Sequence, residues 1–129
     1  MEKKVIVAVD DDADNNFSLK LRLEQLDSRY EVIAVESGKK CIEFLENNEI
    51  PDIILLDIMM PEMSGWDVFV KLKENSSWRK IPVVFLTAKT DSYSKGFGKI
   101  PSGGYIEKPY DIEDVKKRVD EIFENVSQK

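Results

Sequence analysis

Ile53-Ile54-Leu55-Leu56-Asp57-Ile58-Met59-Met60-Pro61 is the stretch that decides how this chain folds. Four apolar residues without a polar break read as a short strand buried on both faces. Asp57 closes the run. A carboxylate there faces the rim of a sheet, not its middle. Val5-Ile6-Val7-Ala8-Val9 ends the same way, in Asp10-Asp11-Asp12. Ile81-Pro82-Val83-Val84-Phe85-Leu86 ends in Thr87, and Tyr105-Ile106-Glu107 ends in Lys108-Pro109. Four strand ends therefore carry carboxylates, a hydroxyl and an ammonium. In an open parallel sheet the ligand crevice lies outside the carboxyl ends of the strands.

On both sides of this stretch, strands alternate with helical segments. Strands are expected at 4–9, 30–35, 52–57, 81–87 and 104–107. Helices are expected near 14–27, 38–47, 65–75 and 112–126. Such alternation means βαβ units and a parallel sheet covered on both faces. In the last helix Ile112, Val115, Val119, Ile122 and Val126 step by three and four, giving one buried stripe. Asp111 is its expected N-cap, Ser37 is placed to cap the second helix, and Ser64 with Asp67 signals a cap for the third. The connection from 89 to 104 holds Gly96, Gly98, Pro101, Gly103 and Gly104. Glycine and proline disfavour helix, so at most two turns are expected there, around Asp91–Phe97, with low local stability. The fold class is α/β, a doubly wound five-stranded parallel sheet of order 2-1-3-4-5. It is flavodoxin-like, (βα)5, with a weak or shortened fourth helix. One domain over residues 1–129 is expected, without an output domain.

Composition narrows the function. The chain has 129 residues, 42% hydrophobic and 34% charged, with a net charge of −6. The acidic balance argues against nucleic acid or an anionic membrane as the main partner. No run approaches the ~20 apolar residues of a membrane span, and the N-terminus lacks a signal-peptide core. The single Cys41 has no internal disulfide partner, which suits a reducing, cytoplasmic location. The chain contains no histidine, so histidine zinc sites, histidine bases and an internal phosphohistidine are excluded.

In the 2-1-3-4-5 order strands one and three are neighbours, so Asp10, Asp11 and Asp57 converge. Two like charges ~4 Å apart repel by roughly 4 kcal/mol at an effective dielectric of 20. A divalent cation relieves that repulsion, and all-oxygen ligation selects a hard ion such as Mg2+, with Mn2+ as a substitute. The plainer reading makes Asp10–Asp12 solvated turn residues capping the next helix. Their coincidence with Asp57 on the adjacent strand end weighs against it. Thr87 and Lys108 offer a hydroxyl and a mobile point charge on the same rim, both suited to phosphoryl oxygens. X–Pro bonds are cis in only ~5–6% of folded cases, yet Pro109 is a cis-proline candidate, because a cis Lys108–Pro109 bond would turn the chain sharply while aiming the lysine inward.

The ordered set Val9-Asp10-Asp11-Asp12, Leu55-Leu56-Asp57-Ile58-Met59-Met60-Pro61 with Gly65, Leu86-Thr87-Ala88 and Tyr105-Ile106-Glu107-Lys108-Pro109 resembles the response-regulator receiver family across almost the whole chain. That resemblance implies a phosphoacceptor at Asp57 in a two-component phosphorelay. It implies Mg2+ held by Asp11, Asp57 and the Met59 backbone carbonyl, with Asp10 helping through water. Thr87 and Lys108 would hold the phosphoryl group, and Tyr105 would be the aromatic switch residue. The implied partners are a histidine kinase or phosphotransfer protein and an unidentified downstream protein, with the chain a monomer or a weak activation-dependent dimer. It would be a switch that catalyses its own phosphotransfer and slow dephosphorylation, not a dedicated enzyme. Pro101-Ser102-Gly103-Gly104 departs from the family pattern and puts the usual output face in doubt. Met59 and Lys89 stand where the family tunes dephosphorylation.

Three rivals share parts of this pattern. A phosphatase of the haloacid dehalogenase type wants a second acid two residues after the nucleophile, where Met59 stands. A flavodoxin-like cofactor binder needs a phosphate-friendly loop after the first strand, where Asp10–Asp12 would repel phosphate. A receiver fold used only for interaction would lack a site residue, and none is missing.

Overall fold

The computed structural model describes residues 3–88 and 103–127. Its elements run β1 (Lys4–Val9), α1 (Ala13–Leu26), β2 (Tyr30–Val35), α2 (Gly38–Asn47), β3 (Ile53–Asp57), α3 (Gly65–Glu74), β4 (Val83–Ala88), β5 (Tyr105–Lys108) and α4 (Ile112–Ser127). The five strands form one parallel sheet in the order β2-β1-β3-β4-β5. The stretch where a weak fourth helix is expected, including Asp91–Phe97, lies outside the described residues. The last described helix is therefore α4.

The period of two along each strand divides the core into two layers. Ile6 and Ala8 of β1 point to one face, joining Leu19 and Leu23 of α1 and Val115 and Val119 of α4. Val7 and Val9 point to the other, joining Cys41 and Leu45 of α2 and Val68, Phe69 and Leu72 of α3. In β3 all five residues are buried, because helices cover it on both sides. The stripe expected along the last helix is buried at Ile112, Val115, Val119 and Ile122; the side chain of Val126 lies outside those described.

The helices start where the sequence caps them. Asp12 accepts the Asn15 N–H at 3.1 Å and begins α1. Ser37 accepts the Lys40 N–H at 3.0 Å. Ser64 and Asp67 form a reciprocal capping box at α3, with bonds of 3.2 and 3.0 Å. The Asp111 carbonyl accepts the Asp114 and Val115 N–H groups at the start of α4.

Small shifts separate the expected strand limits from the observed ones, each with a local cause. Strand β4 begins at Val83, not 81, because the Ile81 N–H donates to the Trp78 carbonyl at 3.0 Å in the preceding turn. Strand β5 begins at Tyr105, not 104, because Gly104 takes a positive φ of 74° as it enters the sheet. Strand β3 begins one residue later than 52. Asp52 instead brackets Val5, its N–H donating to the Val5 carbonyl and its carboxylate accepting the Val5 N–H, both at 2.8 Å.

Candidate functional site

The register brings the predicted residues to one rim. Val9 pairs with Leu56, so Asp10 emerges beside Asp57. Asp57 pairs with Leu86, one residue before Thr87, and Ala88 pairs with Lys108. Carboxylate oxygens of Asp10, Asp11 and Asp57 lie within 4.8 Å of one another. Asp10 and Asp57 are buried and Asp11 is exposed. The Lys108 ammonium reaches in from β5, 3.2 Å from Asp10 Oδ2 and 3.6 Å from Asp57 Oδ1. The Lys108–Pro109 peptide is cis. Asp12 caps α1, as the plainer reading has it, whereas Asp10 is buried and not solvated.

Electrostatics follow from this crowding. Burial pushes the Asp57 carboxyl up to about 6 from its ordinary 3.8. Lys108 pulls against that, Asp10 and Asp11 add to it, and the Met59 N–H stabilises the carboxylate by donating to it. Burial would lower the Lys108 ammonium, but Asp57 and Asp10 outweigh it and hold the group above its usual range. Three carboxylates against one ammonium leave an excess of negative charge. With oxygen donors only, the set fits a hard divalent cation and not a soft one. The buried Cys41 thiol is pushed up to about 12 by desolvation, which removes it as a nucleophile.

Thr87 is fully buried, and its hydroxyl donates to the Ala88 carbonyl at 3.1 Å. Tyr105 stands one strand across, half-buried, with its ring stacked on Phe85 at 5.7 Å. Trp66, just inside α3, packs on Phe85 at 4.5 Å and on Tyr105 at 6.4 Å. An open cleft of about 380 Å³ adjoins Lys108, lined also by Ser18, Arg22, Pro109 and Tyr110.

Gly65 sets how closely α3 approaches the site. Its N–H donates to the Ile58 carbonyl at 2.8 Å. A Cβ there would sit 2.4 Å from the Asp57 carbonyl oxygen. Only a glycine lets the helix start against the strand end that carries Asp57.

Two further residues near the site carry little local signal in the sequence. Trp66 follows the recognised Gly65, but its partners lie on β4 and β5, which no local pattern reveals. Asn16 sits on the buried stripe of α1 with Leu19 and Leu23. A polar residue at the start of that three-and-four spacing was the available signal.

The family model for the response regulator receiver domain matches residues 6–120. The chain belongs to the response regulator receiver family. Among curated relatives, this receiver domain is 38% identical over 125 residues to a probable cyclic di-GMP phosphodiesterase of Vibrio cholerae, covering 96% of this chain and 27% of that protein. It is 33% identical over 124 residues to the alkaline phosphatase synthesis transcriptional regulatory protein PhoP of Bacillus subtilis, covering 95% of this chain and 49% of that protein. The chain thus spans half or less of these relatives' lengths. A solved CheY-like receiver domain from Methanospirillum hungatei superposes with a TM-score of 0.82 at 32% identity, covering 99% of this chain and all of that one. The receiver domain of a signal transduction histidine kinase from Syntrophus aciditrophicus gives 0.84 at 28% identity, over 98% of this chain and 94% of that one. The chain is a receiver domain of two-component systems, and such domains bind Mg2+ at an acidic pocket. Among the described residues no helix is long and apolar enough to cross a membrane.

Proposed function

We propose that Asp57 is the phosphoacceptor and that its phosphorylation switches partner binding. The observation that carries this reading is the convergence of the Asp10, Asp11 and Asp57 oxygens within 4.8 Å, with the Lys108 ammonium 3.6 Å from Asp57. Asp10, Asp11, Asp57 and the Met59 backbone carbonyl would hold Mg2+ or Mn2+, which supplies charge stabilisation to the transferring oxygens.

The chain's own residues do the rest. One Asp57 carboxylate oxygen attacks phosphorus of a phosphohistidine on a histidine kinase or phosphotransfer protein. The P–N bond breaks, its electron pair stays on the imidazole, and an acyl phosphate forms. Lys108 follows the charge that spreads over the phosphoryl oxygens. Thr87 turns its hydroxyl from the Ala88 carbonyl to a phosphoryl oxygen, and Tyr105 repacks beside Phe85. No side chain in the set is a strong general base for water, so hydrolysis of the acyl phosphate is slow. The protein acts as a switch rather than a dedicated enzyme. A cytoplasmic location follows from this reading, since the phosphodonor kinase is charged by ATP.

The test is transfer of labelled phosphate from a phosphorylated histidine kinase, with Mg2+ and with chelator. Label should appear on the wild-type chain only with Mg2+ and not at all on Asp57→Asn. Label on Asp57→Asn would overturn the assignment.

A further inference from the structure

A buried amide closes a hydrogen-bonded ring beneath the acidic cluster. Asn16, in the first turn of α1, is 2% exposed. Its Nδ2 donates to the Ala8 carbonyl at 3.1 Å and to the Val35 carbonyl at 3.0 Å. Those carbonyls stand at the ends of β1 and β2, where the strands open onto the site. The Val35 carbonyl also accepts the Asp10 N–H at 3.2 Å. Asp10 Oδ1 accepts the Asp12 N–H at 2.9 Å. The Asp12 carbonyl then accepts the Asn16 N–H at 3.0 Å. The path runs from Asn16 through Val35, Asp10 and Asp12 and back to Asn16.

The amide is not there for stability alone. Its Oδ1 is buried and accepts no hydrogen bond among the described residues. An unpaired buried acceptor is unfavourable, and an apolar side chain of the same shape would avoid it. What the position gains from asparagine is the pair of donations to the two strand ends. Those donations hold the β1 backbone two residues before Asp10 and the β2 carbonyl that accepts the Asp10 N–H, while the Asp12 N–H holds one of the Asp10 carboxylate oxygens. The other oxygen, Oδ2, is the one that meets Lys108.

We propose that Asn16 is a positioning residue for the acidic cluster. It holds Asp10 so that Oδ2 faces Lys108 and the rest of the cluster, and so sets the affinity of the cluster for its divalent cation. This rests on the phosphoacceptor reading and deepens it. Outer partners of metal ligands commonly change affinity tenfold or more when removed.

The test compares wild type, Asn16→Leu and Leu19→Ala for Mn2+ affinity, for urea stability and for labelling rate with acetyl phosphate. Leu19 lies three residues further along the same helix face, 4% exposed. It therefore controls for simple loosening of α1. Asn16→Leu should weaken Mn2+ binding about tenfold, and saturating Mn2+ should return its labelling rate toward wild type. Leu19→Ala should lose stability and keep its Mn2+ affinity. Asn16→Ala gives the same comparison should leucine prevent folding. Unchanged Mn2+ affinity in the Asn16 variants, or an equal loss in Leu19→Ala, would overturn the proposal. A wild type that binds no Mn2+ would overturn the phosphoacceptor reading and this one with it.

Discussion

The Lys108 ammonium lies 3.6 Å from an Asp57 carboxylate oxygen, brought there by the pairing of β5 with β4 and of β4 with β3. It is the cation closest to the acid cluster among the described residues, and it also bonds Asp10 at 3.2 Å. Lys108→Ala should lower metal-free stability by about 1–2 kcal/mol, a partly solvated pair costing less than a fully buried one. That corresponds to a melting temperature lower by about 4–8 °C. Mn2+ should recover more stability in this variant than in wild type. Calorimetry without metal decides it, and an unchanged melting temperature would contradict the role given to Lys108.

Gly65→Ala tests the close approach of α3 to Asp57. The new Cβ would meet backbone atoms, at 2.4 Å from the Asp57 carbonyl oxygen and 2.8 Å from the Ile58 Cα. Neither can rotate away. The expected loss is about 1–3 kcal/mol, read as a lower urea midpoint at unchanged m-value. Phosphoryl uptake should slow as well, because the strand end carrying Asp57 must shift.

The pH dependence of stability isolates Asp57. Its folded carboxyl titrates near 6 and its ordinary value is 3.8. The native state therefore binds this proton more tightly than the unfolded state. The resulting stabilisation is complete below the ordinary value and is lost as pH rises through about 6. Asp57→Asn lacks the titration. Without metal, its stability advantage over wild type should grow between about pH 4 and 6 and then level off. Mn2+ favours the ionised carboxylate and should reduce the gap. Denaturation curves across that range would contradict the account if wild type gained on the variant with rising pH.

Trp66 should report the state of Tyr105. Its ring lies 6.4 Å from Tyr105 and 4.5 Å from Phe85, on which Tyr105 stacks. In a Trp78→Phe background the emission of Trp66 should change on addition of a beryllofluoride phosphoryl mimic with Mg2+. The change should shrink in Tyr105→Ala. Emission that ignores the mimic in a chain that binds it would remove Tyr105 from the switch.

Much of this site could be read from the chain because its chemistry stands at the ends of uninterrupted apolar runs. Leu56-Asp57 and Val9-Asp10 announce both the strand and its rim, and parallel order makes them neighbours. Caps at Asp12, Ser37 and Ser64 were equally local. What the sequence hid was tertiary. The start of β4 depends on a turn bond from Ile81 to Trp78, and the Trp66–Phe85–Tyr105 cluster joins three separate elements. Asn16 looked like one more polar residue after Asp14 and Asn15, because its importance lies in two carbonyls that only the fold brings to it.

Intact-protein mass after incubation with acetyl phosphate and Mg2+ decides whether Asp57 carries the phosphoryl group. Wild type should gain about 80 Da, one phosphoryl in place of a proton, consistent with an aspartyl phosphate. Asp57→Asn should gain nothing, and neither should wild type with excess chelator. The same gain in Asp57→Asn, or a gain in wild type that chelator leaves untouched, would contradict the account.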